Sequence, residues 1–123
     1  MLWEQPYFEF TSGRHRSTMD RLDIPLPYGN TLVFLKDDGR LFVCLVMIVK
    51  DRRTCVTPEL PIEACAIRDL LSVPYAEFDL GPIRLSAEPR CLIVHHGFHH
   101  IPVDHEVWKP MVREWLQSMS STT

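Results

Sequence analysis

The amino-acid sequence predicts an α+β fold: a mostly antiparallel sheet of about five to seven strands with two helices, at about 62–73 and 108–119, packed on it. Three observations carry this. Asp38-Gly39 stands between two apolar runs, a strong hairpin signal. The stretch 41–49 is apolar at every position, as in a strand covered on both faces. Two segments, 62–73 and 108–119, place their apolar residues at helical spacing, the first between Pro61 and Pro74.

The elements follow in order. Residues 3–10 are rich in aromatic side chains, alternate through Phe8-Glu9-Phe10 and read as a strand closed by Thr11-Ser12-Gly13. In 19–26, Leu22, Ile24 and Leu26 share one parity against Arg21 and Asp23, which predicts a half-buried strand. Pro25 and Pro27 donate no hydrogen bond, so that strand belongs at a sheet edge. Tyr28-Gly29-Asn30 is a turn, and 31–36 and 40–50 form the hairpin around Asp37-Asp38-Gly39. Residues 54–61 hold two prolines and read as a loop.

In 62–73, Ile62, Cys65, Ala66, Leu70 and Val73 recur on one helical face. Pro61 suits the entry to that helix and Pro74 forbids its continuation. Residues 75–80 alternate, Gly81-Pro82 breaks them, and 83–85 resumes as a short strand. The last helix carries Val107, Trp108, Met111, Val112, Trp115, Leu116 and Met119 as its apolar stripe, with Asp104 placed to cap its start. Pro110 is awkward inside a helix, so regular geometry is expected only from about Lys109.

A chain of 123 residues fits one globular domain, 1–123. Apolar residues make up 46% and charged residues 24%, ordinary values that exclude intrinsic disorder. The net charge is only -3 and the basic residues are scattered, so no nucleic-acid partner is expected. The first residues lack a basic stretch followed by an apolar run and do not read as a signal peptide. The nine-residue run 41–49 falls well short of the ~20 residues of a membrane span, so no membrane partner is expected and the cytoplasm is the expected compartment. The four cysteines, Cys44, Cys55, Cys65 and Cys91, include no C-x-x-C pair and are expected as free thiols, with Cys44 and Cys65 on core faces.

Unusual chemistry concentrates in 90–103, where four of the six histidines flank Gly97-Phe98. Glycine first suits a type II′ hairpin turn. That turn fixes a register in which His96 faces His99, His95 faces His100, Val94 faces Ile101 and Leu92 faces Val103. Leu92, Val94, Ile101 and Val103 then share one face with His96 and His99. Cys91, Ile93 and Pro102 share the other with His95 and His100.

Opposed side chains have Cβ atoms ~5 Å apart, so either histidine pair can chelate a transition metal such as zinc. The four imidazoles divide between two faces, so a complete site needs a further ligand. His105, Asp104, Glu106, Cys91 or a second copy of the chain are the candidates. The metal candidates are therefore His95, His100, His96, His99 and His105. The other readings of the segment are a solvated hairpin tip and a pH-responsive pair whose histidines lower each other's pKa and strain the hairpin in acid. A Cys91–His nucleophile pair lacks an orienting third group.

No nucleotide-binding, hydrolase or metalloprotease motif is present. The sequence therefore reads as a small non-enzymatic interaction or regulatory module without a cofactor, with a protein partner or itself, as a homodimer, for company. The candidate interface residues are Trp3, Tyr7 and Phe8, aromatic side chains on a terminal segment. The competing reading is a transition-metal-binding protein, a sensor or a metal-dependent hydrolase, that uses 95–105.

Overall fold

The computed structural model describes residues 20–121. The strand expected at 3–10 and the candidate interface residues Trp3, Tyr7 and Phe8 lie outside the described residues. The class is α+β: the described residues form two helices and nine strands, all paired antiparallel. The chain divides between Pro61 and Ile62 into two compact units. The strands divide at the same place, into a five-stranded and a four-stranded sheet, where the sequence pattern predicts a single sheet.

The first unit is built on β1 (Asp20–Pro25), β2 (Thr31–Asp37), β3 (Arg40–Val49), β4 (Arg52–Cys55) and β5 (Leu60–Pro61). Strand β1 pairs only with β2 among the described residues, as its prolines require. A 3-10 turn at Pro27–Gly29 leads into β2, with Tyr28 and Gly29 both at positive φ. Asn30 secures this turn: its backbone N–H donates to the Pro27 carbonyl, and its buried Oδ1 accepts the Ile48 N–H at 3.0 Å.

The β2–β3 hairpin turns on Asp38 and Gly39, φ 56° and 79°, with Asp37 opposite Arg40. Positive φ at both central residues is the type I′ geometry that Asp-Gly favours. The same device recurs at Lys50 and Asp51, φ 53° and 65°, so Arg52 and Arg53 begin a strand rather than extend a basic loop.

Strand β3 is central, with β2 on one side and both β4 and β5 on the other. Its residues Val43, Cys44, Leu45, Val46 and Met47 are all buried, which explains a run that is apolar on both parities. Val33, Leu35, Cys44 and Val46 make one buried cluster, with Phe42 packed against it.

The segment after β4 contains the two-residue strand β5 instead of loop alone. Its departure from β3 is well satisfied: Val56 N–H donates to the Leu45 carbonyl at 2.9 Å, and the buried Thr57 Oγ1 accepts the Leu45 N–H at 3.1 Å. Because β4 and β5 together occupy the second edge of β3, the later strands pair among themselves.

The second unit begins with α1 (Ala64–Ser72), which packs on β6 (Ala76–Asp79) and β7 (Arg84–Ala87). Its buried residues are Ala66, Ile67, Leu70 and Leu71, so the inner face is rotated from the expected stripe: Cys65 is exposed and Val73 lies beyond the helix. The adjacent pairs Ala66-Ile67 and Leu70-Leu71, four residues apart, define a broader apolar face than any stripe through Cys65.

Strands β8 (Cys91–His96) and β9 (His99–Asp104) complete a sheet ordered β6-β7-β8-β9. Helix α2 (His105–Ser121) follows β9 directly, with Trp108, Val112 and Trp115 buried. It starts earlier than Pro110 suggests and contains that proline. The one backbone bond that Pro110 forgoes would reach Glu106, an exposed position, while His105 and Trp108 fasten the first turn. Among the described residues, no helix is long and apolar enough to cross a membrane.

Candidate functional site

The β8–β9 hairpin has the register that its sequence predicts, with His96 opposite His99 and His95 opposite His100. Gly97 sits at φ 60°, and Phe98 is not among the residues at positive φ, as a type II′ turn requires. The apolar set Leu92, Val94, Ile101 and Val103 is buried. Phe98 projects from the tip with 99% of its surface exposed.

The two histidine pairs differ. His95 and His100 meet edge-on, Nδ1 to Nδ1 at 2.7 Å, with ring centroids 4.9 Å apart. That separation is a hydrogen bond, so one proton lies between the rings and the second nitrogen accepts it. The far nitrogen of His95, Nε2, lies 3.1 Å from Ser86 Oγ. His96 and His99 are instead stacked, 14° from parallel at 6.4 Å, and the buried Nδ1 of His96 has no hydrogen-bond partner.

The face that carries His95 and His100 continues across the sheet. Arg84 stands opposite His95, Ser86 opposite Glu77, and Arg84 Nε is 3.1 Å from Glu77 Oε2. Partial burial lowers the His95 pKa from the ordinary imidazole value, and the positive charges of Arg84 and His100 lower it further. Glu77 and Glu88 oppose the shift without reversing it. The charge of His100 thus contributes to the lowering at His95, after burial and Arg84.

His105 stands apart from these pairs. Its Nδ1 accepts the Trp108 Nε1–H at 3.0 Å, and its Nε2 hydrogen-bonds the Glu88 carbonyl. A carbonyl only accepts, so His105 carries its proton on Nε2 and both ring nitrogens are engaged. Asp104 closes β9 opposite Cys91. The Cys91 thiol is pushed above its usual range by burial and by the charges of Glu88 and Asp104, the reverse of what a nucleophile needs. Among the described residues, no three His, Cys, Asp or Glu side chains come together as a metal-holding group.

Ser86, Arg84 and Glu77 are members of this face that the sequence reading did not single out. Their signal is the alternation in 84–87, which sets Arg84 and Ser86 against Leu85 and Ala87. A surface hollow of about 190 Å³ lies beside them, lined by Tyr75, Ala76, Glu77, Ser86, Ala87 and Glu88. It is smaller than the ~300–1,000 Å³ of ordinary small-molecule sites. No family model, no curated protein and no solved structure matches this chain.

Proposed function

We propose that the chain is a small non-enzymatic interaction or regulatory module that acts by protein contact, with the β8–β9 hairpin tip as its contact element. One observation carries this reading: Phe98 is 99% exposed at the end of a hairpin whose base is buried and whose register is closed by six pairs. A bare aromatic ring on a fixed support costs solvation and adds nothing to the fold, whereas aromatic anchors dominate binding energy at interfaces. Tyr28 and Tyr75, 92% and 67% exposed, are further aromatic side chains available for contact. The simplest partner is a second copy, which makes the module a homodimer.

Sedimentation equilibrium over a dilution series tests this, with Phe98→Asp beside the unaltered chain. A dimer that the substitution dissociates supports the reading. Identical association of the two proteins removes Phe98 as the anchor.

The second reading, a transition-metal site, is favoured by the approach of His95 and His100. A tetrahedral zinc ion with bonds of ~2.0–2.1 Å sets its nitrogens about 3.3 Å apart. Replacing the shared proton therefore asks the two Nδ1 atoms to open by about 0.6 Å from 2.7 Å. Water or a second copy would supply the remaining ligands. Stoichiometric zinc uptake that is lost in His95→Ala and His100→Ala supports it, and uptake unchanged in both variants rejects it.

A further inference from the structure

A different pair of side chains, in the first unit, carries chemistry that the hairpin does not. Cys55 ends β4 opposite Val46, so it shares a face with Val46 and with Cys44, two residues earlier on β3. Each side chain is the largest single influence on the other's proton affinity. Cys44 is 2% exposed, Cys55 is open to solvent, and Cys55 Sγ lies 3.3 Å from the Thr57 carbonyl oxygen. One thiol is therefore reachable from outside, and the other is a buried diagonal neighbour on the same face.

We propose that Cys55 and Cys44 form a thiol–disulfide exchange site for low-molecular-weight disulfides, with Cys55 as the attacking sulfur and Cys44 as the resolving one. In the first step the Cys55 thiolate attacks one sulfur of the small disulfide RS–SR. A Cys55–S–S–R bond forms, the RS–SR bond breaks, and RS⁻ leaves to take a proton. In the second step Cys44 gives up its proton and attacks Cys55 Sγ. The Cys44–Cys55 disulfide forms and a second RS⁻ departs and is protonated. The protein loses two electrons and two protons, and the small disulfide becomes two thiols.

The local electrostatics fit this division of labour. The interaction with the Cys44 side chain lowers the Cys55 pKa to about 7, with a smaller contribution in the same direction from Arg21. Burial and Glu59 act in the opposite sense on Cys55 and are outweighed. Cys44 is pushed up, first by its interaction with Cys55 and then by burial, so it stays protonated until the mixed disulfide replaces the Cys55 thiolate. Closing the bond brings the sulfurs to about 2.05 Å. The ladder of β4 with β3 ends at Cys55, one residue before Val56 and two before Thr57, both of which are hydrogen-bonded to Leu45. Cys65, also exposed and on α1, and Cys91 serve as internal controls.

The test is incubation of the reduced, folded chain with glutathione disulfide, followed by alkylation and peptide mass spectrometry. The unaltered chain should lose two hydrogens and yield a peptide cross-linked through Cys44 and Cys55, with Cys65 and Cys91 alkylated. Cys44→Ser and Cys44→Ala should each hold one glutathione on Cys55, and Cys55→Ser should form neither product. Glutathione spread evenly over Cys55, Cys65 and Cys91, or a persistent glutathione adduct on Cys55 of the unaltered chain, overturns the proposal. A second measurement needs no substitution: at neutral pH iodoacetamide should label Cys55 ahead of Cys65 severalfold, and equal rates overturn the proposal.

Discussion

Replacing His105 by alanine tests whether the last helix is fastened at its first turn by the imidazole. The indole of Trp108 is fully buried, and its one polar atom donates to His105 Nδ1 at 3.0 Å. Without the imidazole that N–H is left dry and unpaired, which costs about 1–3 kcal/mol. The bond from His105 Nε2 to the Glu88 carbonyl is lost as well, about 1 kcal/mol more. The expected destabilisation is therefore about 2–4 kcal/mol, a large share of a typical domain's ~5–15 kcal/mol.

The two contributions separate in a double-mutant cycle with Trp108→Phe, which removes the donor and keeps an aromatic ring. In that background His105→Ala should cost only the Glu88 bond, about 1 kcal/mol, because no N–H remains to be orphaned. Urea unfolding followed by far-ultraviolet circular dichroism measures all four proteins without relying on tryptophan emission. A His105→Ala cost within about 0.5 kcal/mol of zero refutes the reasoning. So does the same cost in both backgrounds.

Three further outcomes are expected. Gly97→Ala meets no atom within 4 Å but holds an alanine at φ 60°, so urea unfolding should show a loss of about 1–3 kcal/mol with the hairpin register unchanged by NMR. Thr57→Val keeps the shape of a buried side chain but leaves the Leu45 N–H unpaired, and the same assay should show about 1–3 kcal/mol of destabilisation. His95 resists protonation in the folded state, so the unfolded chain binds more protons as the pH falls below the ordinary imidazole value of 6.5. Its contribution to stability is complete above that value and is lost as the pH falls through the lowered pKa, so His95→Asn should flatten the acid limb of a plot of Tm against pH.

The hairpins were the legible part of this fold, because their chemistry is local. Asp38-Gly39 and Gly97-Phe98 each satisfy a turn type that few other dipeptides satisfy, and once the turn is fixed every cross-strand pair follows. The division into two sheets was not legible, since it depends on a two-residue strand that ends in proline and carries almost no pattern of its own. Cys65 was misplaced because a stripe drawn through every third or fourth apolar residue ignores Ile67 and Leu71, which lie beside it and are larger.

The candidate site shows the same contrast. The opposition of His95 and His100 came from register alone, whereas the engagement of His105 depended on where the helix begins. Pro110 drew that start too late, and an earlier start places His105 and Trp108 three apart on one helical face. The approach of Cys44 to Cys55 joins two strands through a Lys50-Asp51 turn that lacks the glycine by which such turns are usually recognised.

The proline in β9 has a colloidal consequence. In a two-residue hairpin the pairs alternate between hydrogen-bonded and open, starting with a bonded pair at His96 and His99. Pro102, opposite Ile93, falls on an open pair, so its nitrogen points away from β8 toward the free rim of the sheet, where any other residue would offer a donor. A strand from a neighbouring molecule meets an interrupted row of donors there and cannot zip along it. Among the described residues β9 is an edge of its sheet, and Pro102 makes that edge a poor template for stacking into fibrils.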